Sequence, residues 1–135
     1  MKISEVMTRQ VMTVSMDDSL RRVREVFEKH GFHHLLVLDR RRVAGVISDR
    51  DLLKHVSPFI GKLSERSQDL STLNRRVHQI MTRDLVSAST DDTVESGAAL
   101  MLQNGVSCLP VVAQDGRPVG IVTARDLLRF VTNSD

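Results

Sequence analysis

The chain repeats itself, and no other feature constrains its fold as much. The stretch VMTRQVMTVSMDDSL, beginning at Val6, returns as IMTRDLVSASTDDTV from Ile80; GVISDRDLLKHV, from Gly45, returns as GIVTARDLLRFV from Gly120. Laying 6–39 on 80–113 and 43–56 on 118–131 gives 15 identities in 48 positions. The matches keep their order: Met-Thr-Arg, Asp-Asp, a glycine, Leu-x-Val, a second glycine, Arg-Asp-Leu-Leu. A fold made of two like halves is the simplest way to satisfy that order.

Each copy reads as strand, helix, strand, strand, helix. A short apolar strand is predicted at 11–15 and again at 85–89. Asp17-Asp18 and Asp91-Asp92 follow, residues suited to capping a helix, and Asp92 with Glu95 resembles a capping box. Leu20, Val23 and Phe27, and then Val94, Ala98 and Met101, recur at helical spacing. Gly31 and Gly105 stand where a helix ends in a left-handed residue. Strands are predicted at 33–38 with 43–48, and at 107–113 with 119–123. Asp115-Gly116 is a hairpin signal in the second copy, and Arg40, Arg41 and Arg42 make the turn in the first. Short helices at 50–56 and 125–131 close the copies. One such unit is marginal alone, so the reading is a mixed α/β (α+β) fold with two βαββα units, related by a pseudo-two-fold, sharing a core. The boundaries are 1–56 for the first unit, 57–79 for a linker and 80–135 for the second unit. In the linker, Leu70, Leu73 and Val77 predict an amphipathic helix running into the second copy.

Composition narrows the function. The chain has 135 residues, 41% hydrophobic and 27% charged, enough to bury a core. Its net charge of +2, with no Trp or Tyr, argues against a nucleic-acid surface. No apolar run is long enough to cross a bilayer, and the start lacks a secretory signal. The single cysteine, Cys108, fits a reducing cytoplasm. No P-loop, H-E-x-x-H or G-x-S-x-G sequence points to an enzyme. His33 and His34 are adjacent on a strand and face opposite ways, and His30, His55 and His78 complete no known ligand spacing, so no metal site is expected. Arg40–Arg42 reads as a solvated turn, and Cys108 as a small core residue rather than a nucleophile.

The paired pattern MT…V…DD…G…LPVV…G-(I/V)-(I/V)-(S/T)-x-x-D resembles the CBS domain, named after cystathionine β-synthase, in its tandem arrangement (the Bateman module). The resemblance covers nearly the whole chain. It implies a regulatory, signal-sensing module that binds AMP, ADP, ATP or S-adenosylmethionine in a cleft between the units and requires no cofactor. It also implies a disc-like homodimer, with a separate protein as a possible listener. By the same resemblance, Asp51 and Asp126 accept hydrogen bonds from ribose hydroxyls, and Ser48 and Thr123 face phosphate. The base is held near His33, His34 and Leu35 in the first copy and near Val106, Ser107 and Cys108 in the second. Thr13 and Ser87, at the ends of the first strands, contribute as well, and Arg50 and Arg125 reach phosphate. The His33-His34 pair marks the first copy as the more phosphate-oriented site. The physical chemistry is reasonable: a carboxylate matches vicinal hydroxyls, and a helix start favours an anion.

Two alternatives stay open. Ser48-x-x-Asp51 and Thr123-x-x-Asp126 are also good helix caps, and capping and binding can coexist. The same fold can serve as a ligand-independent dimerisation scaffold, with 57–79 docking a partner.

Overall fold

The structure, a computed structural model, describes residues 1–63 and 65–133. It divides into two compact units: Thr13–Asp39 with Ala44–Arg83, and Met1–Met12 with Arg40–Val43 and Asp84–Asp135. The folded units and the sequence copies therefore have different boundaries. Residues 1–12, which open the first copy, pack with the body of the second, and residues 57–83 pack with the body of the first.

In the unit built on the first copy, β1 (Thr13–Ser15) leads into α1 (Leu20–His30), then β2 (His34–Asp39), β3 (Arg42–Ser48) and α2 (Asp49–His55). The sheet order is β1-β2-β3, with β1 parallel to β2 and Thr13 opposite Leu36. Helix α1 buries Leu20, Val23, Val26 and Phe27 on one face, as the spacing predicts. Gly31 ends it at φ 67°, its N–H donating to the Phe27 carbonyl. The helix starts one residue later than Asp18: Ser19 is the N-cap, accepting from the Arg22 N–H. Asp18 turns the chain instead, accepting from the Ser15 N–H at 2.7 Å.

The predicted amphipathic helix over 70–80 is broken into α3 (Ser67–Ser71), a 3-10 turn at Thr72–Asn74 and α4 (Val77–Ile80). Leu73 and Val77 still bury nearly completely, but Leu70, which the spacing placed on the same face, is 39% exposed. The break comes at Arg75, which is extended (ψ 150°). Its carbonyl accepts from the Leu20 N–H, while the N–H groups of Val77 and His78 donate to the carbonyls of Asp18 and Met16. Pairing with the loop before α1 satisfies these groups better than continuing the helix.

In the other unit, α5 (Val94–Asn104), β4 (Cys108–Val112), β5 (Pro118–Thr123) and α6 (Ala124–Asn133) repeat the plan. Here too the cap shifts one residue, to Thr93, whose side chain accepts from the Ser96 N–H, so Asp92 and Glu95 form no capping box. The predicted strand at 85–89 shrinks to a single parallel bridge, Ala88 to Val111. Ala88 donates to the Pro110 carbonyl and accepts from the Val112 N–H. The next bond of a parallel ladder would need an N–H from Pro110, which proline lacks. Leu36 stands at that place in the first copy, so β1 extends back to Thr13.

The leading segments explain two of the repeated motifs. Thr8 bridges Ile121 at the outer side of β5, and Thr82 bridges Val46 at the outer side of β3. A Cβ on Gly120 would lie 2.8 Å from both the Met7 sulfur and the Thr8 carbonyl oxygen. On Gly45 it would lie 2.6 Å from the Met81 sulfur and 2.9 Å from the Thr82 oxygen. Each repeated glycine is therefore the seat of a repeated Met-Thr. Ile3 and Met7 join Ala88, Met101, Leu109, Val111 and Val122 in one buried cluster.

Candidate functional site

The two Ser/Thr-x-x-Asp segments lie at the strand-to-helix turns. In the first copy, Ser48 is the N-cap of α2; its hydroxyl accepts from the Asp51 N–H at 3.1 Å. Oδ2 of Asp51 accepts from the Ser48 N–H at 2.8 Å and from its hydroxyl at 2.9 Å. In the second, Oδ2 of Asp126 accepts from the Thr123 N–H at 2.9 Å and its hydroxyl at 3.1 Å, and the Asp126 N–H donates to Thr123 Oγ1 at 3.2 Å. The capping reading is thus realised in both copies. It engages one carboxylate oxygen in each copy, Oδ2.

A second shared feature brings the start of the middle strand to the turn. The Asp49 N–H donates to the His33 carbonyl at 3.0 Å, and the Ala124 N–H to the Ser107 carbonyl at 2.8 Å. In the first copy this gathers His33, His34, Ser48, Arg50 and Asp51. In the second it gathers Ser107, Cys108, Thr123, Arg125 and Asp126. Leu35, expected beside the base, is fully buried, backbone included. Thr13, His33, Arg50, Ser87, Val106, Ser107 and Arg125 are exposed.

The side chains on this common frame differ. His33 Nδ1 lies 2.8 Å from Oδ2 of Asp49, a residue the sequence reading passed over. Burial lowers the pKa of His34, outweighing the nearby carboxylate of Asp49, and so favours the neutral imidazole. In the second copy, Ala124 and Ser107 hold the places of Asp49 and His33. Burial pushes the Cys108 thiol up to about 12, with the Asp126 carboxylate adding to the effect, so it is held as a neutral thiol, not a nucleophile. Asp126 is nearly buried, its side chain 7% exposed, and its Oδ1 lies 3.6 Å from Nη1 of Arg129. The pair lines a groove of about 350 Å³ with Glu5, Val6 and Phe130. Among the described residues, no cation stands within ion-pair distance of Asp51. Arg129 was also missed in the sequence, because the corresponding Lys54 makes it look like an ordinary surface position. Asp49 was legible as the one acid in S-D-R-D that T-A-R-D lacks.

Arg40, Arg41 and Arg42 are exposed, as predicted for a solvated turn. Arg40 and Arg41 sit at φ 49° and 69°, the two left-handed positions of a tight two-residue hairpin. Among the described residues, no group of three or more His, Cys, Asp or Glu is placed to hold a metal ion. No helix among them is long and apolar enough to cross a membrane.

The family model of the CBS domain matches the chain twice, over residues 3–58 and 77–133. The chain belongs to the CBS domain family and is a tandem CBS pair. It is 29% identical over 129 residues to protein MJ1225 of Methanocaldococcus jannaschii, covering 95% of this chain and 46% of that one. The chain thus spans less than half the length of that curated relative. Among solved structures, it is similar to the CBS domain pair of protein MJ0100 in complex with 5′-methylthioadenosine and S-adenosyl-L-methionine. There the TM-score is 0.80 at 25% identity, over 97% of this chain and 99% of that one. It is also similar to the cytosolic domain of the Mg2+ channel MgtE in complex with ATP, with a TM-score of 0.74 at 27% identity, over 96% and 48% of the two chains.

Proposed function

We propose that the chain is a regulatory module that binds an adenine-containing small molecule (AMP, ADP, ATP or S-adenosylmethionine) and passes the signal on through a change of shape or assembly. The observation that carries this reading is the duplicated turn. Each copy offers a carboxylate with one oxygen fixed by the cap, beside a hydroxyl at the first turn of a helix. A fixed carboxylate suits ribose hydroxyls, because it accepts without first losing rotamer freedom. A similar CBS pair and the similar MgtE cytosolic domain are each bound to adenosine compounds, which supports the ligand class. The ligand changes the module only by its differential affinity for two states. In this reading the chain binds and signals, catalyses nothing, needs no cofactor, contacts no nucleic acid or membrane, and works in the cytoplasm.

Thermal unfolding followed by circular dichroism tests it, with AMP, ADP, ATP, S-adenosylmethionine and a GTP control added separately. A ligand at about 100 times its Kd adds about 2.7 kcal/mol, which raises the midpoint by several degrees. The shift disappears in a folded Asp51→Ala, Asp126→Ala double variant. An equal response to every nucleotide, GTP included, or to none, defeats the proposal.

A scaffold that dimerises without ligand is the second reading. Leu53 on α2, Leu102 on α5 and Leu128 on α6 are 78%, 85% and 65% exposed, which favours apolar helix faces that a homodimer or a separate protein covers. A dimer seen by sedimentation at every concentration, unmoved by any adenine compound, would favour it.

A further inference from the structure

Resting on the adenine reading above, we propose that Asp49 divides the two copies by ligand charge. The first copy's turn takes an adenosyl compound without phosphate, neutral or cationic, and the second copy's turn takes a phosphorylated adenine nucleotide.

The shared frame carries different charges in the two copies. Ser48-Asp49-Arg50-Asp51 carries two carboxylates and one guanidinium; Thr123-Ala124-Arg125-Asp126 carries one of each. The single carboxylate of the second copy faces the Arg129 guanidinium at 3.6 Å. Lys54, at the place of Arg129 in the repeat, makes no ion pair with Asp51 among the described residues. The first turn is therefore acidic, and the second is neutral or basic.

Asp49 directly follows the hydroxyl that the family resemblance turns toward phosphate. Its side chain is 42% exposed and bonded to His33, so it carries its charge at the surface of the turn. A phosphate placed there meets a like charge, and a sulfonium or ammonium group meets an opposite one. The histidines do not reverse this. His33 is bonded to Asp49 itself, and burial lowers the pKa of the half-buried His34, which disfavours its charged form. The phosphate preference that two histidines suggest for the first copy in sequence is thus opposed by the carboxylate the fold sets against them. In the second copy, Ala124 adds no charge, and Arg125 stands beside the Thr123 hydroxyl.

Titration calorimetry on the full chain tests the inference with three probes of one adenosine core: S-adenosylmethionine, neutral 5′-methylthioadenosine and ATP. Asp51→Ala and Asp126→Ala report which copy takes each probe. In wild type, Asp51→Ala should abolish S-adenosylmethionine binding, and Asp126→Ala should abolish ATP binding. Asp49→Ala should weaken S-adenosylmethionine about tenfold and strengthen ATP at the first copy about tenfold, each about 1.4 kcal/mol. It should leave methylthioadenosine unchanged, and the differences should shrink as ionic strength rises from about 0.05 to about 0.5 M. The reciprocal Ala124→Asp should weaken ATP at the second copy by a similar factor. Equal shifts for all three probes, or none, with binding intact overturns the charge division and leaves the adenine reading standing. No binding of any probe to wild type removes both.

Discussion

The two strand-to-helix turns carry the same set of hydrogen bonds between Ser or Thr and the following Asp, with each distance matching within about 0.2 Å. They differ in what surrounds the carboxylate: Asp126 is nearly buried and paired with Arg129, while Asp51 is half-buried and flanked by Asp49. A duplicated motif thus conserves backbone geometry, because capping demands it in either copy. It leaves charge free to vary, because no backbone bond depends on it. Equivalence is a property of the frame, and difference is a property of the side chains hung on it.

The largest test of the frame is at Gly45 and Gly120. Gly45→Ala and Gly120→Ala each drive a methyl group into a Met side chain and a carbonyl oxygen. Urea unfolding should show each variant losing about 3 kcal/mol, the upper part of the overpacking range. Similar losses sharpen the equivalence of the frame; a loss confined to one copy breaks it.

The next test is alkaline, and it belongs to the second copy alone. The Cys108 pKa is raised in the folded state to about 12 from an ordinary 9.0. The folded protein therefore keeps a proton that the unfolded chain gives up. The contribution is fully present below about pH 9, and it declines by about 1.4 kcal/mol per pH unit as pH rises toward 12. Denaturation from pH 8 to pH 10 should be less pH-dependent in Cys108→Ala. In the first copy the corresponding group is His34, with its pKa lowered by burial. There the unfolded chain binds the extra proton, so stability falls as pH drops through about 6.5, and His34→Gln should flatten that acid limb. Opposite pH limbs from corresponding positions would sharpen the contrast; the same limb in both variants would break it.

The smallest effect is at Arg129, whose side chain is 66% exposed. Arg129→Ala should cost at most about 0.5 kcal/mol, as expected of a pair with one solvated partner. A much larger loss in thermal unfolding would mean that Asp126 depends on its cation, and that the two copies differ in structure as well as charge.

What the sequence made legible follows period and local chemistry. The apolar faces of α1 and α5, the left-handed Gly31 and Gly105, the strand pairs and the Ser/Thr-x-x-Asp turns all depend on near neighbours. What escaped depends on distant ones. The helix expected at 70–80 breaks because Arg75, Val77 and His78 find partners at Leu20, Asp18 and Met16. The strand expected at 85–89 fails for the missing N–H of Pro110, visible in the sequence only once the ladder register is known. The cap positions moved by one residue because Asp18 and Asp92 bond backward, to Ser15 and Ser89. Asp49 went unread because its partner, His33, is set against it only by the fold.

The placement of the leading segments bears on how the chain folds. Lys2 meets Asp91 across 89 residues, and Thr8 waits for Ile121. On the ribosome, residues 1–12 emerge before residues 13–83, yet they complete a unit whose strands are made after them. The body of the first copy can close as soon as residue 83 is available, while the other unit must hold its opening segment unpaired until β5 appears. Contacts of such long sequence separation require loop closure before they reward it. The second unit should therefore fold more slowly than the first, and the apolar Ile3 and Met7 stay exposed until their partners in 84–122 are made.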